Sequence, residues 1–347
     1  MSEGAAGGLT YGEAGVDREV AARTKDRIAG LVESTRNAGV VSRAGGFGGL
    51  FRVPAGYAKP VMVSSADGVG TKLKVAIMAD RHDTVGLDLV NHCVNDILVE
   101  GARPLFFMDY IGMGRLQQHV VEDVVAGLAR GCRANDCVLL GGETAEMPDF
   151  YAAGEYDLAG FIVGMVDEDA RPGAHRVHAG DDIIALASSG FHTNGYSLLR
   201  RLLFDRLGLA VTDPYPGADE SVADILLRPH RSYASSVLPL IEAGSVSALA
   251  HITGGGIPEN LVRVLPDDIG AVVDRASWSV PREFAAVQEH GDVTDREMFL
   301  TFNMGVGMLL VVPPAQTDAV LRSLQDAGET AWVAGSLQAG GRSVELQ

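Results

Sequence analysis

Three carboxylates hold the positions best suited to chemistry in this 347-residue chain. Asp67 follows an apolar run at 61–63 and opens Asp67-Gly68-Val69-Gly70-Thr71-Lys72. Gly68 and Gly70 let the backbone N–H groups of this turn, Val69 included, approach a bound anion, while Thr71 adds a hydroxyl and Lys72 a cation. A carboxylate beside such a turn suits a divalent metal that bridges to phosphate oxygens. The spacing is neither G-x-x-x-x-G-K-[ST] nor G-x-G-x-x-G, so neither the P-loop nor the dinucleotide fingerprint applies. Asp96 follows Asn95 and precedes a helix stop at Gly101. Glu143 sits in Gly141-Gly142-Glu143-Thr144-Ala145-Glu146-Met147-Pro148, after the apolar run 138–140, and repeats the order strand, glycine, carboxylate. Asp67, Asp96 and Glu143 are expected to converge on a hard, oxygen-seeking cation, and Mg²⁺ fits best. The nine histidines form no H-x-x-x-H pair that would compete as a ligand set.

Two further polar-glycine loops precede helix-like runs. Ser188-Ser189-Gly190-Phe191-His192-Thr193-Asn194-Gly195 is longer than a helix cap requires, which favours a site for a phosphate or sugar hydroxyls at Ser189, Gly190, His192, Asn194 and Gly195. His251-Ile252-Thr253-Gly254-Gly255-Gly256 repeats the arrangement, placing His251, Thr253, Gly254 and Gly255 as substrate contacts. His192 and His251 are the histidines expected at a ligand. Capping alone is the competing account of both loops.

The elements that must position these residues follow from periodicity. Residues 82–100 predict a helix, because Val85, Leu89, Cys93 and Ile97 recur every fourth position. Asp88, His92 and Asp96 share a neighbouring stripe; Asp88 and His92 are expected on a solvated flank, and Asp96 at the ligand. Strands are predicted at 104–109, 138–140, 156–166, 182–186, 269–273, 306–312 and 331–334, and helices at 17–36, 119–135, 196–207, 281–290 and 317–326. A turn at Arg171-Pro172-Gly173 divides the chain into an anion- and metal-binding domain at 1–170 and a second domain at 171–347, with helices expected on one face of its mixed sheet. The fold class is α/β (α+β). The glycine cluster at 45–49 is either a lid over phosphates or a linker.

Composition sets the outer limits. Apolar residues at 47% and charged residues at 21% describe an ordinary soluble globular chain. Glycine makes up 43 residues, about 12% against ~7% usually, and the excess falls in the loops above rather than in a repeat. The net charge of −17 and the absence of any Lys/Arg run longer than two argue against nucleic-acid binding. Cys93, Cys132 and Cys137 make an odd count without C-x-x-C, as expected for reduced thiols in a cytoplasmic compartment. No apolar h-region and no run of eighteen apolar residues supports export or a membrane partner.

With these motifs in place, the chain resembles the phosphoribosylformylglycinamidine cyclo-ligase family of de novo purine synthesis. The resemblance runs from Tyr11-Gly12-Glu13-Ala14-Gly15-Val16-Asp17 to Ala334. It is carried by the Asp67 motif, Val94-Asn95-Asp96, the Glu143 motif, His192-Thr193-Asn194-Gly195-Tyr196-Ser197-Leu198, Thr253-Gly254-Gly255-Gly256 and Phe302-Asn303-Met304-Gly305-Val306-Gly307-Met308. The resemblance implies two α/β domains, the first with a sheet that pairs in a homodimer. It implies ATP and Mg²⁺ as cofactors, with Asp67, Asp96 and Glu143 carrying the metal on ATP phosphates and Lys72 with the backbone amides binding those phosphates. The implied reaction closes the ring of formylglycinamidine ribonucleotide through a phosphorylated formyl oxygen. Asp67, Lys72, Asp96 and His192 are the catalytic set this implies, although a water or carboxylate would serve as base equally well. Three positions depart from the family: Ser65-Ala66 where Gly-Thr is frequent, Gly12 where Lys or Ser is usual, and His92 where an apolar residue is common. No fused ligase or transformylase domain is expected.

Two cousins and a non-enzyme compete with this reading. A selenophosphate-type synthetase would need a reactive Cys near the N-terminus, and none precedes Cys93. A thiamin-monophosphate kinase would lack the His192 and Phe302 signatures. A regulatory subunit would bind ATP without turnover, yet every acidic ligand candidate is intact.

Overall fold

The computed structural model describes Gly15, residues 18–43 and residues 46–347. Of the expected motif at 11–17 only Gly15 is among them, and Gly45 of the glycine cluster lies outside. In the first half the order is α1 (Arg18–Glu33), β1 (Pro60–Gly68), α2 (Lys72–Ala79), α3 (Asp83–Leu98), β2 (Arg103–Met113), α4 (Gln118–Ala134), β3 (Val138–Glu146) and β4 (Tyr156–Asp167). These strands form one sheet in the order β1-β4-β2-β3. β4 runs antiparallel to both β1 and β2, and β2 and β3 are parallel through the α4 crossover. Period-two alternation of Val61, Val63 and Ser65 against Met62, Ser64 and Ala66 leaves the second set on the open face. Met62 and Phe161 are exposed there.

α3 lies on the buried face of this sheet because its stripe of Val85, Leu89, Cys93 and Ile97 is fully covered. Two glycines set how closely α4 approaches it. A methyl group at Gly86 would stand 2.1 Å from the Val124 carbonyl oxygen, and one at Gly127 would stand 2.4 Å from that of Asp83. α3 ends where Gly101, at φ +79°, turns its N–H back to the Leu98 carbonyl.

The second half continues with β5 (Asp182–Ala187), α5 (Tyr196–Arg200), α6 (Val222–Leu226), α7 (Ala234–Glu242), β6 (Ala248–His251), α8 (Gly256–Leu261), β7 (Ile269–Val273), α9 (Arg282–Gly291), α10 (Asp295–Thr301), β8 (Val306–Val312), α11 (Thr317–Asp326), β9 (Ala331–Ala339) and β10 (Val344–Leu346). α5 passes into a π-helical turn at Arg201–Arg206. The six strands are ordered β10-β7-β9-β5-β8-β6, all antiparallel neighbours except β10 and β7. Along β5 the side chains alternate between two cores. Ile184 and Leu186 join the large core shared with α3 and α7, while Ile183 and Ala185 join a smaller one with Ile257 and Leu261 of α8. Apolar cover therefore lies on both faces of this sheet, where the sequence suggested helices on one.

Two predicted strand ends move. β3 runs on through Gly141, Gly142 and Glu143, pairing Glu143 with Tyr110 of β2. β1 likewise contains Asp67, which pairs with Gly160 of β4. Both carboxylates stand on ladder positions, not on the turns beyond.

Candidate active site

The residues singled out by chemistry gather where α3 meets the second half of the chain. The Asp88, His92, Asp96 stripe faces the segment 228–233 and the loops before α5 and α8, instead of solvent. Asp88 is completely buried, and His92 is 5% exposed. The expectation of a solvated flank is thus corrected: i, i+4 spacing put these side chains on one line, but the other domain covers that line.

Asp88 forms an ion pair with Lys72, Oδ2 to Nζ 2.8 Å, and both side chains are wholly inaccessible. Lys72 also donates to the carbonyl oxygens of His192 (3.0 Å) and Arg228 (2.8 Å), while the His230 N–H donates to Asp88 Oδ1 at 2.6 Å. Burial lowers the lysine and raises the aspartate, and their mutual attraction opposes both shifts. The Lys72 ammonium group expected at phosphates is turned into the seam between the halves, bonded to Asp88 and two backbone carbonyls, and does not line the cavity described next.

Above this pair lies the open part of the site. A cavity of about 410 Å³ is lined by Asp67, Gly68, Val69, Gly70, His92, Asp96 and, from the second half, Thr193, Asn194, Thr253 and Arg263. His92 Nε2 stands 2.8 Å from Asp67 Oδ2, and its Nδ1 lies 2.8 Å from Thr193 Oγ1. His251 Nδ1 stands 2.9 Å from Asp96 Oδ1, and Ser65 Oγ donates to Asp96 Oδ2 at 3.0 Å. Burial works to raise both carboxyls. It is outweighed at Asp67 by the hydrogen bond from His92 and at Asp96 by that from His251, so both end below the usual carboxylate range. His92 moves the other way: burial disfavours its charge, but Asp67, Asp96 and Asp88 raise it. The cavity therefore presents two ionised carboxylates at its floor and the Gly68–Gly70 backbone at its rim.

The remaining expected residues divide. Asn194 and Thr253 reach the cavity, and Gly254 lies beside Asn194. Thr71 stays at the domain seam, its hydroxyl 3.2 Å from Ser197 Oγ. Ser189 Oγ donates to the Pro229 carbonyl, Gly190 accepts through its carbonyl from Asn303 Nδ2, and Gly195 and Gly255 are left-handed residues at helix starts. These four shape loops. His192 is corrected as a base: it is 1% exposed, its Nε2 accepts from the Ser189 N–H, and its ring stacks on His230 at 4.0 Å. Burial holds His192 and His230 well below the usual histidine value, with nearby cationic groups adding to the effect.

Glu143 does not join Asp67 and Asp96. The cross-strand row Asp67–Gly160–Asp109–Gly142 spans all four strands, so Asp67 and Glu143 occupy opposite sheet edges. Three strand spacings of ~4.8 Å separate those edges by about 14 Å. Glu143 instead lines a second cavity of about 420 Å³ with Asp109, Lys25 and Arg36. There burial and the charge of Glu143 push Asp109 up to about 7.

Sequence reasoning missed His230, Arg263, the individual role of Thr193 and the importance of His92. His92 left a signal in its four-residue spacing from Asp96, and Thr193 in its place within the polar-glycine loop 188–195. His230 stands in an otherwise unremarked irregular segment, Pro229-His230-Arg231, and becomes visible only when the two halves meet.

Comparison with known proteins places this architecture. Residues 48–166 match the family model described as AIR synthase related protein, N-terminal domain, and residues 178–346 match the corresponding C-terminal domain. The phosphoribosylformylglycinamidine cyclo-ligase of Trichlorobacter lovleyi is 50% identical over 330 residues, covering 95% of each chain. That of Geobacter metallireducens is 50% identical, covering 98% of this chain and 99% of its own. The human trifunctional purine biosynthetic protein adenosine-3 is 48% identical over 335 residues, 33% of its length. Among solved structures, thiamine-monophosphate kinase from Stenotrophomonas maltophilia superposes with a TM-score of 0.69 at 19% identity, covering 93% of this chain and 95% of its own. The hydrogenase maturation protein HypE in complex with ATP gives 0.67 at 18% identity, with 94% and 90% covered. These two share the fold. By near-full-length identity and both domain models, the chain belongs to the phosphoribosylformylglycinamidine cyclo-ligase family.

Proposed function

We propose that this chain is an ATP-dependent ligase that cyclises formylglycinamidine ribonucleotide to aminoimidazole ribonucleotide, releasing ADP and phosphate. The formyl oxygen takes the γ-phosphoryl group and ADP leaves. The amidine-side nitrogen then attacks the same carbon, the nitrogen gives up a proton, and the phosphorylated oxygen departs as phosphate. The observation that carries this reading is 50% identity to cyclo-ligases across 95% of both chains. The kinase cousin is similar in fold alone.

The site's donor set fits Mg²⁺ for the nucleotide: Asp67 and Asp96 are adjacent, ionised and open to the 410 Å³ cavity. When bound there, the metal would neutralise phosphate charge. The Gly68–Gly70 amides are the phosphate contacts in this reading, with Asn194 and Thr253 for the ribonucleotide. Lys72 and His192 hold the loops that carry those groups. Any metal role of Glu143 belongs to the second cavity with Asp109. We assign residues 1–170 and 171–347 as the two domains, in keeping with the two sheets. A homodimer through the open face of the first sheet is supported by exposed Met62 and Phe161. A cytoplasmic location is supported by three buried, unpaired cysteines. No helix among the described residues is long and apolar enough to cross a membrane.

The test is ADP and aminoimidazole ribonucleotide formation from Mg-ATP and formylglycinamidine ribonucleotide. Wild type should form both in equal amounts. Asp67→Asn should lose about 10²–10³-fold in kcat/KM, the scale for removing one electrostatic stabiliser. ATP binding without ring closure would overturn the cyclo-ligase assignment.

A further inference from the structure

The structure assigns a second metal chemistry to the floor of the interdomain cavity: a divalent d-block cation of the zinc class, held by His92, Asp96 and His251. One ligand atom from each residue lies within 4.8 Å of the other two. Metal–ligand bonds of ~2.0–2.2 Å put ligand atoms roughly 3–4 Å apart, so only a small inward movement completes the site. His251 Nδ1 to Asp96 Oδ1 is already 2.9 Å, and His92 Nε2 to Asp96 Oδ2 is 4.0 Å. Asp67 Oδ2, 2.8 Å from His92 Nε2, supplies a fourth ligand atom, the second oxygen of the set. In each contact the imidazole proton occupies the place a cation would take.

What separates this cluster from a set of ordinary hydrogen bonds is its outer layer. A ligating histidine needs a partner for its other ring nitrogen, which orients the ring. His92 Nδ1 has Thr193 Oγ1 at 2.8 Å, and His251 Nε2 has His230 Nε2 at 3.1 Å. His230 in turn meets Thr193 Oγ1 through Nδ1 at 3.3 Å, and Asp96 Oδ2 receives Ser65 Oγ at 3.0 Å. His92, His251 and Asp96 are thus each oriented from behind, while Asp67 and Asp96 also line the open cavity, where a water or substrate oxygen can enter. Two neutral imidazoles are poor partners for Mg²⁺ and good ones for Zn²⁺, Co²⁺ or Ni²⁺. The site shares Asp67 and Asp96 with the nucleotide-metal reading but does not rest on it, because it forms without nucleotide.

Cobalt is the probe. Full-length, nucleotide-free protein titrated with Co²⁺ should take up one ion per chain at this site and show visible ligand-field bands. Zn²⁺ should abolish those bands, and Mg²⁺ at the same concentration should leave them. His92→Met and His251→Gln should each remove the bands and weaken Zn²⁺ binding by about 100-fold or more. Thr193→Val, acting from behind, should cost about 10–100-fold. Should a variant fail to fold, proton NMR of the wild-type Co²⁺ form decides: two exchangeable, hyperfine-shifted ring N–H signals are expected from His92 and His251. Absence of those signals, absence of stoichiometric uptake, or equal affinity in folded His92→Met and His251→Gln would overturn the site. Cyclisation with no Co²⁺ uptake sinks the metal site alone. Co²⁺ uptake without cyclisation sinks the functional reading alone.

Discussion

Replacing Lys72 with methionine separates a structural lysine from a phosphate-binding one. The substitution preserves length and apolar character but strands the Asp88 carboxylate at zero exposure. Asp88 would keep only the His230 N–H, and the carbonyls of His192 and Arg228 would lose their donor. Breaking a buried pair from one side costs about 3–5 kcal/mol. With an unfolding entropy of ~2.1 cal/mol/K per residue, 347 residues give ~0.7 kcal/mol/K, so the melting temperature should fall by about 4–7 °C. The loss should shrink at low pH. Burial raises Asp88 in the folded state, so an unpaired Asp88 takes up a proton as pH falls and the stranded charge disappears. Lys72→Met/Asp88→Leu should recover part of the loss, since an apolar pair is tolerated where half an ion pair is not; three backbone groups still lack partners. Calorimetry of ligand-free protein compares both variants with wild type. A Lys72→Met protein that melts with wild type but has lost ATP affinity would refute this reasoning and return Lys72 to the phosphates.

Other outcomes follow from the same geometry. His192→Asn should keep most turnover, because asparagine tolerates the left-handed φ of +57° and the buried ring does not line the cavity; a loss beyond 100-fold would restore His192 as a base. For stability against pH, His192 and His230 have folded values pushed below 6.5, so their contribution is present above pH 6.5 and lost as pH falls toward those values. The wild-type melting temperature should drop below pH 6.5, and His192→Asn should flatten that limb. Gly195→Ala would place a methyl 2.1 Å from the Phe302 ring at φ +80°, combining left-handed strain with overpacking for about 2–5 kcal/mol. Gly70→Ala, at φ +66° with open space around it, should cost only the strain, about 1–2 kcal/mol. Chemical denaturation compares the pair, and equal losses would contradict the packing described.

The sequence by itself determined the local elements and the chemical vocabulary. Strand and helix positions at 269–273, 306–312 and 317–326 coincide with β7, β8 and α11, because each apolar period is written within a few consecutive residues. Asp67 and Asp96 were legible for the same reason, one beside a glycine turn and the other before a helix stop. Only the tertiary structure decided which polar side chains face the cavity. Helical spacing puts Asp88, His92 and Asp96 on one line but carries no record of what covers it. The second half of the chain buries Asp88, half-opens Asp96 and gives His92 two partners. Lys72 and Glu143 were misplaced by the same limit. A lysine after a glycine turn reads as a phosphate ligand until a buried aspartate 16 positions on claims its charge. A glutamate after two glycines reads as a third metal ligand until the strand order β1-β4-β2-β3 carries it to the opposite edge. Strand order and domain docking are set by long-range packing of whole apolar faces, and no short motif encodes them.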